Sequence, residues 1–448
     1  MIMSPLNHLR STLFVSTTRP NPYFPSRVAG ICSTDRGGPV TGSASEKIIT
    51  PASRAFWDRS FAGRRALFEG LRQRPAIEFH TETAGPGFWS VVGYDDVVAV
   101  SRNPEVFSSA KGFTIDDVPV EILEFAMSMI AMDDPRHRRL RGIVQSAFTA
   151  ASVRGIAERV RGYAAQIAAD LPRDAVFDFV PDVATRLPVQ VICELIGIPE
   201  SDRPMILAAA ADVVAGGGDQ EFVTAPGGAA GLGQIYGYAL ELGERRKTDP
   251  GEDLTSRLVS TVVDGETLTP TEFGSFVILL ITAGFETTRQ ALAWALHLLT
   301  EHPDQKELLL ADFAGHIDNT IDEVIRFASP VPYMRRTATV DTELGGAHIA
   351  AGDKVVMWYL SANHDERIFD GPGRFDITRA NAGKHLGFGA KDIHHCLGMN
   401  LARLELRVML EELFTAHPAL HAVGEPELLL SAFISGIAAL PARTRDGR

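Results

Sequence analysis

The sequence predicts a mainly α-helical domain with a small β portion. Apolar residues recur at helical spacing through most of residues 135–328, whereas strand-like character is confined to 89–94 and 344–360. No internal repeat divides the 448 residues, so one domain over 46–448 is expected.

The elements follow in order. Residues 1–45 are rich in Ser, Thr, Pro and Gly, hold no acid before Asp35, and carry scattered Arg10, Arg19 and Arg27. A transit peptide would show an amphipathic arginine face; without one, a disordered extension or an over-extended start is the expectation. Folded character begins near Ser53. The strand at 89–94 leads to a turn at Asp95 and Asp96, and helical spacing resumes from Val97 to Ser101. Helices are predicted over 135–150, 152–170, 183–196, 202–215, 231–247, 252–263, 271–302 and 317–328, and a long amphipathic pattern starts straight after Cys396. Residues 109–127 and 215–228 are irregular for their length. Such segments serve as lids or binding loops, or as plain surface connectors.

Composition narrows the function. A formal charge of -13 argues against a nucleic-acid binder, which presents a basic surface. Cys32, Cys193 and Cys396 are too few for a disulfide framework and cannot hold a four-cysteine cluster. A soluble protein of the reducing cytoplasm is expected, and a redox enzyme of this kind would take its electrons from another protein. No run approaches the roughly eighteen apolar residues of a membrane span; the best, 276–281, is interrupted by Glu286.

Four segments carry chemistry. Cys396 follows a stretch containing Gly387, Phe388 and Gly389 and precedes Gly398 at a helix start, where the dipole and unpaired N–H groups favour a thiolate ligand. A small buried hydrophobe is the alternative. The long helix holds Ala283 and Gly284, and Gly284 suits a backbone that must bend or admit a small ligand. Glu286 and Thr287 then set an acid and a hydroxyl beside that gap, unless the helix has merely reached solvent. Glu323 and Arg326 form an i, i+3 pair, weak if exposed. With Arg379 as a second guanidinium, such a carboxylate can sit inside a protein. Cations that suit an anionic cofactor edge are His137, Arg141, Arg336 and His394.

The joint order of these segments, from Ala283-Gly284-Phe285-Glu286-Thr287-Thr288 through Glu323-x-x-Arg326 and Phe375-Asp376-x-x-Arg379 to the Phe388…Cys396-x-Gly398 loop, resembles the cytochrome P-450 superfamily in its soluble bacterial form. The resemblance runs from about Trp57 to Arg443. It implies the triangular helical prism of that family and a monooxygenase carrying haem b, with Cys396 as the axial thiolate of the iron. It further implies that His137, Arg141, Arg336 and His394 contact the haem propionates, that Glu286 and Thr287 deliver protons to dioxygen beside Ala283 and Gly284, and that Glu323, Arg326 and Arg379 form a structural triad. Electrons from NAD(P)H would arrive through a ferredoxin and its reductase; Arg138, Arg139, Lys384, Lys391, Arg403 and Arg407 form either a basic dock for that acidic donor or ordinary solvated helix faces.

By the same resemblance, substrate contacts come from the 109–128 loop, the 205–235 helix pair, Leu279, Ala283, Val331, Tyr333, Phe433 and Ile434. The substrate is then a hydrophobic small molecule such as a terpenoid, steroid or aromatic intermediate. A peroxygenase, a rearranging haem-thiolate enzyme and a non-enzymatic haem-binding sensor are the competing readings. One departure stands out. Phe388 lies eight residues before Cys396 where seven is common, a form found in actinobacterial sterol- and terpenoid-type members, and Asp392 occupies a usual glycine position.

Overall fold

The computed structural model describes residues 50–82, 85–117, 128–216, 228–262 and 267–445. Contacts divide the chain into Met1–Lys47 and Ile48–Arg448, and the described helices and strands all lie in the second unit. The expected extension over 1–45 lies outside the described residues, as do 118–127 and 217–227 of the two irregular segments.

Helices α1 (Arg54–Trp57) and α2 (Phe61–Arg72) come first, α2 starting where the Ser60 hydroxyl accepts the Gly63 N–H. Strands β1 (Glu78–His80) and β2 (Phe88–Val91) lead to α3 (Tyr94–Ser101) and β3 (Phe107–Ser108). The expected turn at Asp95 and Asp96 is instead the first turn of α3, where both acids meet the positive end of the helix dipole. Then follow α4 (Arg136–Val144), α5 (Ala150–Gly155), α6 (Ala157–Ala169), strand β4 (Phe177–Asp178), α7 (Arg186–Ile196), α8 (Arg203–Gly216) and α9 (Gly228–Thr248). Helix α7 stops at Gly197, whose φ of 86° is left-handed.

After α10 (Leu254–Ser260) comes the central helix α11 (Pro270–Glu301). Its start is written locally: Pro270 at the first position, and a reciprocal capping box between Thr269 and Glu272. Arg139 of α4 also reaches Glu272, at 3.0 Å. Among the described residues α11 alone is long and apolar enough to cross a membrane by length and composition, yet 72% of its apolar window is buried inside the protein. Helix α12 (Pro303–Ala311) was not evident in the periodicity; α13 (Phe313–Ala328) follows it.

Strands β5 (Tyr333–Ala338), β6 (Thr342–Leu344), β7 (Ala347–Ile349) and β8 (Lys354–Trp358) come next, then α14 (Tyr359–Ala362) and α15 (Met399–Ala416). Short strands β9 (His421–Ala422), β10 (Glu427–Leu428), β11 (Ile437–Ala439) and β12 (Pro441–Arg443) end the described chain. The largest sheet has the order β1-β2-β8-β5-β3. Strand β2 runs parallel to β8 with Trp89 opposite Val355, and β5 is antiparallel to β8 with Arg336 opposite Val355. The expected single β region at 344–360 is therefore three strands and a helical turn, and β5 extends it N-terminally.

Two apolar cores flank this sheet, and a much larger one surrounds α11. Lys354 is 1% exposed because Glu82, at 2.7 Å, and Asp117, at 2.9 Å, neutralise it, and it also donates to the Ile115 carbonyl at 2.9 Å. That cluster fastens the described start of the 109–127 segment onto the sheet.

Candidate active site

Helix α11 buries Phe276, Val277, Ile278, Leu280 and Ile281 and then presents Ala283, Gly284, Thr287 and Thr288 to a cavity. Positions 283, 284, 287 and 288 share one helical face, so a single stripe forms this wall. The Thr287 hydroxyl donates to the Ala283 carbonyl at 2.8 Å, in the ordinary manner of a helical threonine. A Cβ on Gly284 would stand 3.1 Å from Ile192 Cδ1 of α7, which shows how closely the two helices approach there.

The same cavity is lined by Phe388, Cys396 and Gly398, from the loop that enters α15. The sulfur of Cys396 is exposed to the cavity while crowded by protein elsewhere. Burial pushes its thiol pKa up, opposed by backbone N–H groups of Gly398 and Met399 and by the Arg141 guanidinium. The loop is held by the Cys396 N–H donating to the Phe388 carbonyl at 2.9 Å and by Arg141 donating to the His395 carbonyl at 2.6 Å. Its extra residue is taken up in a turn where Lys391 has a φ of 58° and Gly389 one of 89°. Asp392, in place of glycine, accepts the Ser101 hydroxyl of α3, and Arg102 donates to the Ala390 carbonyl at 2.9 Å. None of these anchors to α3 was anticipated from the sequence.

His137, Arg141, Arg336 and His394 all reach the cavity. The rings of His137 and His394 lie 4.3 Å apart. Burial, with Arg336, His137 and Arg141 nearby, drives the His394 pKa down to about 2; burial and Arg141 also lower that of His137. Both imidazoles are thus neutral donors beside two guanidiniums. His137 Nε2 is buried without a partner. A thiol, apolar walls and a cluster of donors with an orphaned buried nitrogen fit a flat cofactor with a thiolate-binding metal and an anionic edge.

Glu323 is fully buried and accepts from Arg326 Nε at 2.7 Å and Nη2 at 2.8 Å, from Arg379 Nε at 3.2 Å and from the Asp376 N–H at 3.0 Å. Arg326 also donates to the carbonyl of Asn363 at 2.8 Å, and the Asn363 side chain accepts the Leu386 N–H at 2.7 Å. The three charges are therefore joined to the stretch that enters the cysteine loop.

Other expected residues fall differently. Glu286 is neither solvated nor on the cavity wall: it turns to Arg289 at 2.5 Å and Gln290 at 2.9 Å, and is 2% exposed. Its partners three and four positions on are the sequence signal that was missed. Leu279 and Val331 line the cavity, but Tyr333, Phe433 and Ile434 do not. Tyr333 packs against Trp358 and edge-on to Phe433, its hydroxyl accepts the Ile115 N–H, and Ile434 is buried. Ile192, Met334 and Glu405 contribute to the wall without having been foreseen. Of the expected basic patch, Arg138 is paired with Asp134, Arg139 with Glu272, Arg403 with Asp322 and Arg407 with Asp318; Lys384 and Lys391 are exposed.

A helical fold built round one long helix, with a cysteine loop across the cavity from it, defines the haem-thiolate class. The family model for cytochrome P450 matches residues 241–416. The chain is 43% identical over 396 residues, 86% of its length, to the methyl-branched lipid omega-hydroxylase of Mycobacterium tuberculosis, of which it covers 92%. It is 39% identical over 356 residues, 78% of its length, to the steroid C26-monooxygenase of Rhodococcus jostii, covering 74% of that protein. A Mycobacterium marinum cytochrome P450 solved in complex with pseudoionone superposes with a TM-score of 0.83 at 39% identity, over 88% of this chain and 98% of that one. The chain belongs to the cytochrome P450 family. It is an oxidoreductase of the monooxygenase type, with the prism fold of the family. The family uses haem iron and dioxygen with electrons that originate from NAD(P)H.

Proposed function

We propose that this protein hydroxylates the end of a methyl-branched hydrophobic molecule, working as a soluble cytoplasmic enzyme with a ferredoxin and ferredoxin reductase as its electron source. Cys396 would hold the haem iron, and His137, Arg141, Arg336 and His394 would hold its carboxylate edge. Bound haem supplies dioxygen activation and transfer of one oxygen atom. The chain's own residues supply an apolar wall of Leu279, Ala283 and Val331 that orients substrate and excludes water. Thr287 places a hydroxyl on that wall.

One observation carries the choice of an apolar substrate: Leu279, Ala283 and Val331 wall the cavity that Thr287 also lines. The choice of the chain's end comes from the relatives. The relatives agree in kind, one acting at the omega position of a methyl-branched lipid and one at carbon 26 of a steroid, a terminal methyl in steroid numbering. Exposed Lys384 and Lys391 would contribute most to docking an acidic donor, since the neighbouring arginines are already paired with acids.

Titration with methyl-branched fatty acids and with sterols bearing the branched side chain, read as the low-to-high-spin change, tests the pocket. Turnover under labelled dioxygen with a ferredoxin system should place one labelled oxygen at the chain terminus. Label at a ring or mid-chain carbon, or none, defeats the reading. Because Glu286 faces Arg289 and not the cavity, a peroxide-driven reaction is the second reading. Full turnover on hydrogen peroxide alone would select it.

A further inference from the structure

Helix α11 carries a second stripe beside the one that faces the cavity. Glu286, Gln290 and Trp294 follow one another at four-residue spacing, and all three are buried. The Gln290 amide has one workable orientation. The Glu286 carboxylate accepts, so Nε2 donates to it at 2.9 Å, and the Ile437 N–H can only donate, so Oε1 accepts it at 2.7 Å. One turn further on, Trp294 Nε1 donates to the Ser435 carbonyl at 3.1 Å. Both anchors lie in the hairpin between β10 and β11, which the Leu429 N–H closes by donating to the Gly436 carbonyl at 2.8 Å. Gly436 sits so near the helix that a Cβ on it would stand 2.5 Å from Gln290 Cδ. The hairpin also has a hold on the cavity: the Ser435 N–H donates to the Pro330 carbonyl at 2.9 Å, and Pro330 and Val331 line the cavity. A leucine at 290 would fill the same space but leave the Ile437 N–H buried without an acceptor.

We propose that Gln290 is a positioning residue for ligand selectivity: it ties the β10–β11 hairpin to α11, and the hairpin holds the Pro330–Val331 wall at a fixed spacing from the Ala283–Thr287 stripe. Gln290 itself does not reach the cavity. Hydrogen bonds fix both distance and direction, where apolar contact alone would let the wall slide. Phe433 and Ile434, which do not line the cavity, take part through the same hairpin, and Phe433 extends it to Phe113 and Tyr333. Glu286 has a place in this tether as the group that orients the Gln290 amide.

The test needs the haem-loaded protein but not its substrate. Imidazole and 4-phenylimidazole each shift the haem spectrum on binding, and the ratio of their dissociation constants reads the room left by the two walls. A wall displaced by the width of about one methylene should change that ratio by roughly tenfold in Gln290→Met, with imidazole alone binding as in the wild type. Gly436→Ala pushes the hairpin off the helix from the other side and should also change the ratio. On a Gln290→Ala background, where the space it needs is open, Gly436→Ala should have little further effect. Amide hydrogen exchange requires no variant: in the wild type, 4-phenylimidazole should alter the protection of segments 329–332 and 434–438 together, and imidazole should alter neither. An unchanged ratio in both Gln290→Met and Gly436→Ala, even with a lowered melting temperature, reduces the tether to packing and overturns the proposal. So does a response of 329–332 to 4-phenylimidazole that leaves 434–438 untouched. Should Gln290→Met fail to hold haem, Gly436→Ala and the exchange result decide.

Discussion

Glu323→Ala should cost about 3–5 kcal/mol of unfolding free energy, because it strips the countercharge from two buried guanidiniums. The carboxylate receives three guanidinium N–H bonds and one backbone N–H, and the glutamate and Arg326 side chains are both 0% exposed. Water cannot replace what is lost. Each orphaned donor carries a desolvation penalty of about 1–3 kcal/mol, but the carbonyl acceptors that Arg326 and Arg379 retain from 363, 370, 371, 372 and 374 offset part of that sum. Against a total of about 5–15 kcal/mol the change is severe. Glu323→Gln keeps the shape and one acceptor and should fall between. Adding Arg326→Met to Glu323→Ala should recover part of the loss, since it removes one of the uncompensated charges. Urea unfolding followed by far-ultraviolet circular dichroism and by haem absorption measures all three. A Glu323→Ala midpoint equal to that of the wild type, with equal slope and full haem retention, would falsify the claim that these charges brace the cysteine loop.

Cys396→Ala should keep the helical circular dichroism signal, because the sulfur faces the cavity, but lose the thiolate-type absorption of the reduced carbon monoxide complex. Thr287→Ala should change stability by no more than about 1 kcal/mol, its hydroxyl bonding only within the helix, while diverting reducing equivalents into peroxide; unchanged coupling counts against a role for that hydroxyl. Ser101→Ala leaves Asp392 without the donor to its Oδ2 while Oδ1 already lacks one, and should lower the denaturation midpoint by the equivalent of about 1–3 kcal/mol, together with a shifted haem potential in redox titration. Acid should destabilise the fold. Burial holds His80 down to about 4 and His364 well below its usual 6.5, so below that value the unfolded chain binds protons that the fold does not. Each histidine then removes about 1.4 kcal/mol per pH unit as pH falls toward its folded pKa, and His80→Phe should flatten the measured stability profile by one proton.

What the sequence disclosed about this molecule followed the distance between partners. Helix α11 was legible because its apolar period and its cap are both local, and the cysteine loop because glycine, thiol and helix start lie within a dozen residues. Strand β5 was hidden by Arg335 and Arg336, which break any apolar alternation. They are buried because Arg335 finds Asp117 and Arg336 faces the cavity, relations that no window of sequence contains. Tyr333 was assigned to substrate, yet its ring is claimed by Trp358 from the neighbouring strand, a pairing fixed by sheet register. Glu286 and Glu405 are different: the signals for both, Arg289 and Gln290 at helical spacing for the first and flanking core positions for the second, stood in plain view but compete with the commoner solvent-facing acid.

Arg139 grips Glu272 in the first turn of α11, fifteen residues before Thr287, which is roughly 22 Å along the axis. Because Arg139 shares α4 with His137 and Arg141, that ion pair joins the helix that brings two donors to the cavity to the helix that carries Thr287, while the apolar core packed along α11 fixes the rest of its length. Donors and hydroxyl therefore sit on two elements that are clamped together well away from the cavity.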